Sequence, residues 1–217
     1  MSFSSAPSGR DSRLILAAAF AWCAVFLGIA LHRLPSHART TLDVYLLAGT
    51  HWRGGHNLYD DWRGFVYSPL AAVFFATLSA LPRAGATLVW LALNQGALLG
   101  GFYALASTGV AGLSRATGAL AFLLLAPLAI GNLDVMQANA LVLGLLMTAF
   151  ACFQCERWFL AALCVSLATY LKIYPLAVGL LFGVMAPRRF SWRFPRSTRR
   201  SEVQQFPDDQ AATTALP

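Results

Sequence analysis

Residues 14–31 read LILAAAFAWCAVFLGIAL, eighteen consecutive residues without a charge. At a helical rise of about 1.5 Å per residue the run reaches about 27 Å, close to the roughly 30 Å hydrocarbon thickness of a bilayer. Inside hydrocarbon every backbone N–H and C=O must find its partner within the segment, so such a stretch folds as a helix. Arg10 and Arg13 precede it and Ser36-His37-Ala38 follows, which is also the layout of a secretory leader with a weak cleavage site. Leader cores are shorter, about 7–15 residues, so the run is read as a retained first span.

Six further apolar segments follow, at 69–81, 84–106, 116–130, 140–153, 158–171 and 174–186. Hydrophobic residues make up 58% of the 217 and charged residues 12%, against about a quarter charged in soluble domains. The segments lie too close together for a water-soluble core to form between them. The expected fold is all-α, a polytopic transmembrane helical bundle with polar ends. Residues 1–13 form a cytoplasmic N-terminal segment, 14–186 the membrane domain with its first outer loop at 33–67, and 187–217 a disordered basic and polar tail. That tail turns to Arg, Ser, Gln, Asp and Pro without apolar periodicity.

Charge decides between topologies. If all seven segments cross and the N-terminus is cytoplasmic, only Arg10, Arg13, Arg83 and Lys172 lie inside and twelve Lys or Arg lie outside, against the positive-inside rule. The 69–81 segment is short, opened by Tyr67-Ser68-Pro69 and closed by Pro82. Read as a re-entrant or interfacial helix, it leaves six spans and ten basic residues inside against six outside. The same choice gathers Asp43, the 132–139 junction and Lys172 at the outer face.

The net charge of +7 does not point to nucleic acid, because six of the sixteen basic residues (Arg188, Arg189, Arg193, Arg196, Arg199 and Arg200) sit in the tail, where anionic lipid head groups account for them. Cys23, Cys152, Cys155 and Cys164 fall within or at the ends of apolar segments. Cys152-x-x-Cys155 therefore lacks both a soluble redox fold and metal-ligand company. Neither a metal nor a cofactor is expected.

The first outer loop holds most of the titratable chemistry outside the two termini: Asp43, Asp60, Asp61, His37, His51, His56, Arg33, Arg39, Arg53 and Arg63. Residues 41–47 can form an amphipathic helix with Leu42, Leu46 and Gly49 on one stripe and Asp43, Leu47 and Thr50 on another. A carboxylate held at the membrane boundary can serve as a general base, or equally as a helix cap or a partner for Arg39. The basic side chains suit an anionic phosphate or simple head-group anchoring. Asn132, Asp134, Gln137 and Asn139 pack polar groups between two apolar runs, after a helix break expected at Pro127 and Gly131. They suit hydroxyl binding or an ordinary turn. Lys172 ends an apolar run and snorkels outward on the six-span topology. Asn94 and Gln95, mid-segment, are expected to glue helices together.

Asp43-Val44-Tyr45, then Gly55, Leu58-Tyr59, Phe65-Val66-Tyr67-Ser68-Pro69, Leu81-Pro82, Trp90, Gln137-Ala138-Asn139 and Lys172-x-x-Pro175 follow one another in an order and spacing that resembles the GT-C superfamily of polytopic glycosyltransferases. The resemblance is greatest to the family 87 group of polyprenol-phosphate-mannose-dependent alpha-mannosyltransferases. It covers residues 14–186 and corresponds to the N-terminal half of such an enzyme. Met136 departs from the pattern, standing where the family usually has Gly before Gln-x-Asn.

The resemblance implies an inverting hexosyl (mannosyl) transfer from a polyprenyl-phosphate sugar donor to a lipid or glycan acceptor, at the non-cytoplasmic face of the plasma membrane. It implies Asp43 as catalytic base and Arg39, His56, Tyr59, Arg63, Tyr67, Gln137, Asn139 and Lys172 as substrate-binding residues. Partners are then the donor, the acceptor and membrane lipids, with no nucleic acid. The alternative is a partial, non-catalytic member acting as a membrane interaction protein. A transporter would need paired discontinuous helices and charges at the midplane, and Asp134 alone is available.

Overall fold

The computed structural model describes residues 9–36, 38–59, 64–108 and 114–185. Among them are eight helices and no strand: α1 (Gly9–Arg33), α2 (Thr41–Gly54), α3 (Pro69–Leu78), α4 (Arg83–Ser107), α5 (Arg115–Asp134), α6 (Asn139–Gln154), α7 (Trp158–Leu171) and α8 (Pro175–Met185). Every apolar segment expected from the sequence is a helix. Three, within α1, α4 and α5, are long and apolar enough to cross a membrane. The 10 residues of α3 reach only about 15 Å, half of a bilayer core. The tail beyond Met185 lies outside the described residues.

Two expectations are corrected. Pro127 and Gly131 do not break the chain, and α5 runs through both to Asp134. Proline removes one intrahelical bond, but in an apolar phase a break would strand several more backbone groups, so the helix carries on. The inward stripe of α2 is Leu42, Tyr45, Ala48 and Gly49 rather than Leu42, Leu46 and Gly49. The spacing favours Tyr45, whose ring offers more contact area than Leu46.

Small residues and amide side chains hold the bundle together, as they must where lipid tails are as apolar as leucine. A Cβ on Gly144 would run into the Ala97 backbone, and one on Gly101 into the Gly144 backbone, so α4 and α6 touch main chain to main chain. Gly49 brings α2 as close to the Phe75 and Ala76 backbone of α3. Asn94 and Gln95 do glue helices. The Asn94 side-chain oxygen accepts the Leu141 N–H at 3.1 Å, and the Gln95 amide donates to the Trp22 carbonyl at 2.9 Å. Asn94 thus caps α6, whose own N-cap residue, Ala138, supplies no side-chain bond.

These bonds set direction. Arg33 pairs with Asp134, Thr41 N–H reaches the Val135 carbonyl, and Arg83 reaches Asp43. The end of α1, the start of α2, the start of α4 and the α5–α6 turn therefore share one polar end. Because Leu141 is level with Asn94, eleven residues into α4, the start of α6 is recessed on the order of 10 Å below Arg83.

Gly144→Val should lower the melting temperature in detergent markedly, by several degrees, since overpacking against backbone costs about 1–3 kcal/mol or more. Gly100 has nothing near its missing Cβ, and Gly100→Val should cost only helix propensity. Equal losses in the two variants would refute the close α4–α6 contact.

Candidate active site

The polar end is built around Tyr45, 1% exposed. Its ring stacks on Phe75 at 4.5 Å and meets Tyr67 and Trp90 edge-on at 5.2 and 5.5 Å. Its hydroxyl donates to Tyr67 Oη at 3.1 Å. Burial, then the Tyr67 hydroxyl, push the phenol well above its ordinary range, while the Ala138 backbone pulls weakly the other way. Tyr45 therefore stays neutral and remains a donor.

Trp90 extends the cluster to the α5–α6 turn, its indole N–H donating to the Met136 carbonyl at 2.9 Å. Met136 has φ +58 and is buried. This is the left-handed conformation that glycine adopts freely and other residues at a cost of about 1–2 kcal/mol. The turn geometry expected of glycine is thus kept by a methionine. Its buried side chain, and the indole bond to its carbonyl, oppose that cost.

On this turn Asn139 donates both amide hydrogens, to Asn132 Oδ1 at 2.7 Å and to Gln137 Oε1 at 2.6 Å. The amide nitrogens of Asn132 and Gln137 are the donors left over, on side chains only half-buried. Such a cluster presents N–H groups to a hydroxyl or phosphate oxygen. Beside it Arg33 Nε donates to Asp134 Oδ1 at 2.9 Å and its terminal nitrogen to Oδ2, a two-point fork. The fork locks α1 to α5 and takes Asp134 out of the reacting groups.

Asp43 is the third residue of α2. Its Oδ2 accepts the Thr40 backbone N–H at 2.7 Å and the Thr40 hydroxyl at 2.9 Å, the acidic half of a capping box. A terminal nitrogen of Arg83 lies 3.3 Å from Oδ2 and 3.2 Å from Oδ1. Arg83 is therefore a charged partner of Asp43, and Arg39 sits exposed on the approach to α2. The capping role and a partly exposed carboxylate are present in one residue.

The remaining expected residues divide. Tyr67 belongs to the cluster, and exposed Tyr59 joins it by donating its hydroxyl to the Tyr67 carbonyl at 2.9 Å. His56 follows the left-handed Gly55 at the far end of α2, its ring 5.8 Å from that of His51. Lys172 caps the end of α7 in an extended conformation, half-buried. Neither makes a hydrogen bond or ion pair to Asp43 among the described residues. His37, Asp60, Asp61 and Arg63 lie outside the described residues. Sequence reasoning passed over Thr40 and Arg83. Thr40-x-x-Asp43 carries a capping-box signature that points to the first; the second needs the tertiary fold.

The fold defines a helical membrane protein in which several helices bring polar and charged side chains to one end. The chain belongs to Glycosyltransferase family 87, whose sequence profile matches residues 65–193, more than half of its length. Membership makes glycosyl transfer its activity class. No curated protein and no solved structure matches the chain. The matched region holds Tyr67, Arg83, Trp90, Gln137, Asn139 and Lys172; Asp43 precedes it and reaches it through Arg83 and Tyr45.

If the Arg33–Asp134 fork is a partly buried pair, removing one member strands the other. Arg33→Ala should destabilise the protein by about 2–4 kcal/mol, and adding Asp134→Ala should recover part of that loss. Additive losses in thermal unfolding would contradict the pairing.

Proposed function

We propose that this chain transfers a hexose, a mannosyl unit by its resemblance, from a polyprenyl-phosphate donor to an acceptor hydroxyl with inversion at the sugar carbon. The acceptor is a lipid or glycan, and the reaction runs at the non-cytoplasmic face of the plasma membrane, with six helices spanning. The observation that carries this reading is the convergence of a carboxylate, a guanidinium and a recessed amide cluster at one end of a family 87 bundle.

Inverting transfer needs one base and stabilisation of the leaving phosphate, with no second carboxylate as nucleophile. Asp43 takes the acceptor proton as the acceptor oxygen bonds the sugar carbon, and the carbon–oxygen bond to the lipid phosphate breaks with its electron pair going to phosphate. The Asn132, Gln137 and Asn139 amides meet sugar hydroxyls. Tyr59 and Tyr67 wall the sugar site. Arg39, Arg63 and Lys172 supply the cationic surroundings of the phosphate, arginine by its bidentate fork, and His56 a hydrogen bond from the far end of α2 to the lipid-phosphate donor.

The test is transfer of radiolabelled mannose from polyprenyl-phosphate mannose to membrane lipid in proteoliposomes. Asp43→Asn keeps an oxygen to accept the Thr40 N–H but cannot take a proton, so turnover should fall by about 10²-fold or more. Asp60→Asn and Asp61→Asn serve as controls from the same loop. Turnover that survives in Asp43→Asn and disappears in either control would move the base.

A further inference from the structure

We propose that Arg83 is a positioning residue for this transfer, holding the Asp43 carboxylate so that Oδ1 is the oxygen left to take the acceptor proton. The inference rests on Asp43 being the base.

The two carboxylate oxygens are not equivalent. Oδ2 receives three donors, the Thr40 N–H, the Thr40 hydroxyl and Arg83, at 2.7, 2.9 and 3.3 Å. That fills its lone-pair directions. Among the described residues Oδ1 meets only the Arg83 nitrogen, at 3.2 Å, and keeps a lone pair open. The Thr40 bonds act on Oδ2 alone and would leave the carboxyl free to swing about its Cβ–Cγ bond; the Arg83 nitrogen, within reach of both oxygens, fixes its plane.

Arg83 is suited to that task by its place. It is the first residue of α4, directly after the Leu81-Pro82 turn, and its backbone belongs to the helix that carries Trp90 and Asn94. The same guanidinium nitrogen also lies 3.4 Å from the Ala38 carbonyl, tying the segment ahead of α2 to α4. Arg33, by contrast, is committed to Asp134, its partner among the described residues. The Arg83 side chain is 46% exposed and that of Asp43 27%, so the pair lies at the surface of the polar end and not in the core. A pair this exposed adds little to stability, which separates a positioning role from a structural one.

In proteoliposomes supplied with polyprenyl-phosphate mannose, Arg83→Ala should lower kcat by about 10²-fold, the scale set by small misplacements of a reacting group. The KM for donor should change little, and Arg83→Lys should restore a large part of kcat. In the Asp43→Asn background, Arg83→Ala should cost less than about 2-fold more, since a residue acting through Asp43 has nothing left to position. An unchanged melting temperature in Arg83→Ala checks that the variant folds. A loss that is the same in both backgrounds, or that appears in donor KM alone, overturns the proposal. Wild-type kcat in Arg83→Ala with an inactive Asp43→Asn overturns it while leaving Asp43 as base. Wild-type turnover in Asp43→Asn overturns the base assignment and this inference with it.

Discussion

The hydrogen bond from the Trp90 indole to the Met136 carbonyl is the contact on which the polar end depends. It joins the helix that begins at Arg83 to a turn whose backbone is left-handed at a non-glycine residue. Around Trp90 lie Tyr45, Phe74 and Phe75, so α2 and α3 lean on the same ring. Loosening that bond would free the 135–138 turn, and with it the amide cluster of Asn132, Gln137 and Asn139. An interior aromatic with a polar handle is the usual way to combine close packing with one directed bond.

The same economy appears at Asp43. As a helix cap it satisfies the Thr40 N–H and sits favourably at the positive end of the α2 dipole. As a partner of Arg83 it ties α2 to α4. Its oxygens divide the contacts, Oδ2 holding the cap and both lying within reach of Arg83. In the proposed mechanism a carboxylate oriented by its structural bonds comes to the reaction already placed, which is one source of the rate advantage of a bound base.

The helices were legible because hydrocarbon leaves an apolar segment little choice: α7 runs from Trp158 to Leu171, and the segment expected at 158–171 has the same bounds. The interruption expected at Pro127 was not, since local propensity is weaker than the demand that backbone groups stay paired. Asn94 and Gln95 could be read as glue because amides in mid-span have few other uses. Asp43 stood out by its isolation, but its partner did not: Arg83 is forty residues away, and only the short α3 hairpin brings the two together. Met136 illustrates a further limit. Its side chain says nothing of a left-handed backbone, and the conformation follows from the bonds on either side of it.

The central claim is that lipid-linked sugar is handled at the end of the bundle formed by Asp43, Arg83 and the α5–α6 turn. Photo-crosslinking with a diazirine-bearing polyprenyl-phosphate mannose, the diazirine on the sugar, tests it directly when the labelled peptides are mapped by mass spectrometry. Labelling within residues 38–67 and 132–139 is the result this account predicts. The opposite end of the bundle carries an apolar cleft of about 610 Å³ between α1, α4 and α5, lined by Ile15, Phe102, Tyr103 and Phe122. Labelling of the sugar probe confined to that cleft, with none near Asp43, would contradict it.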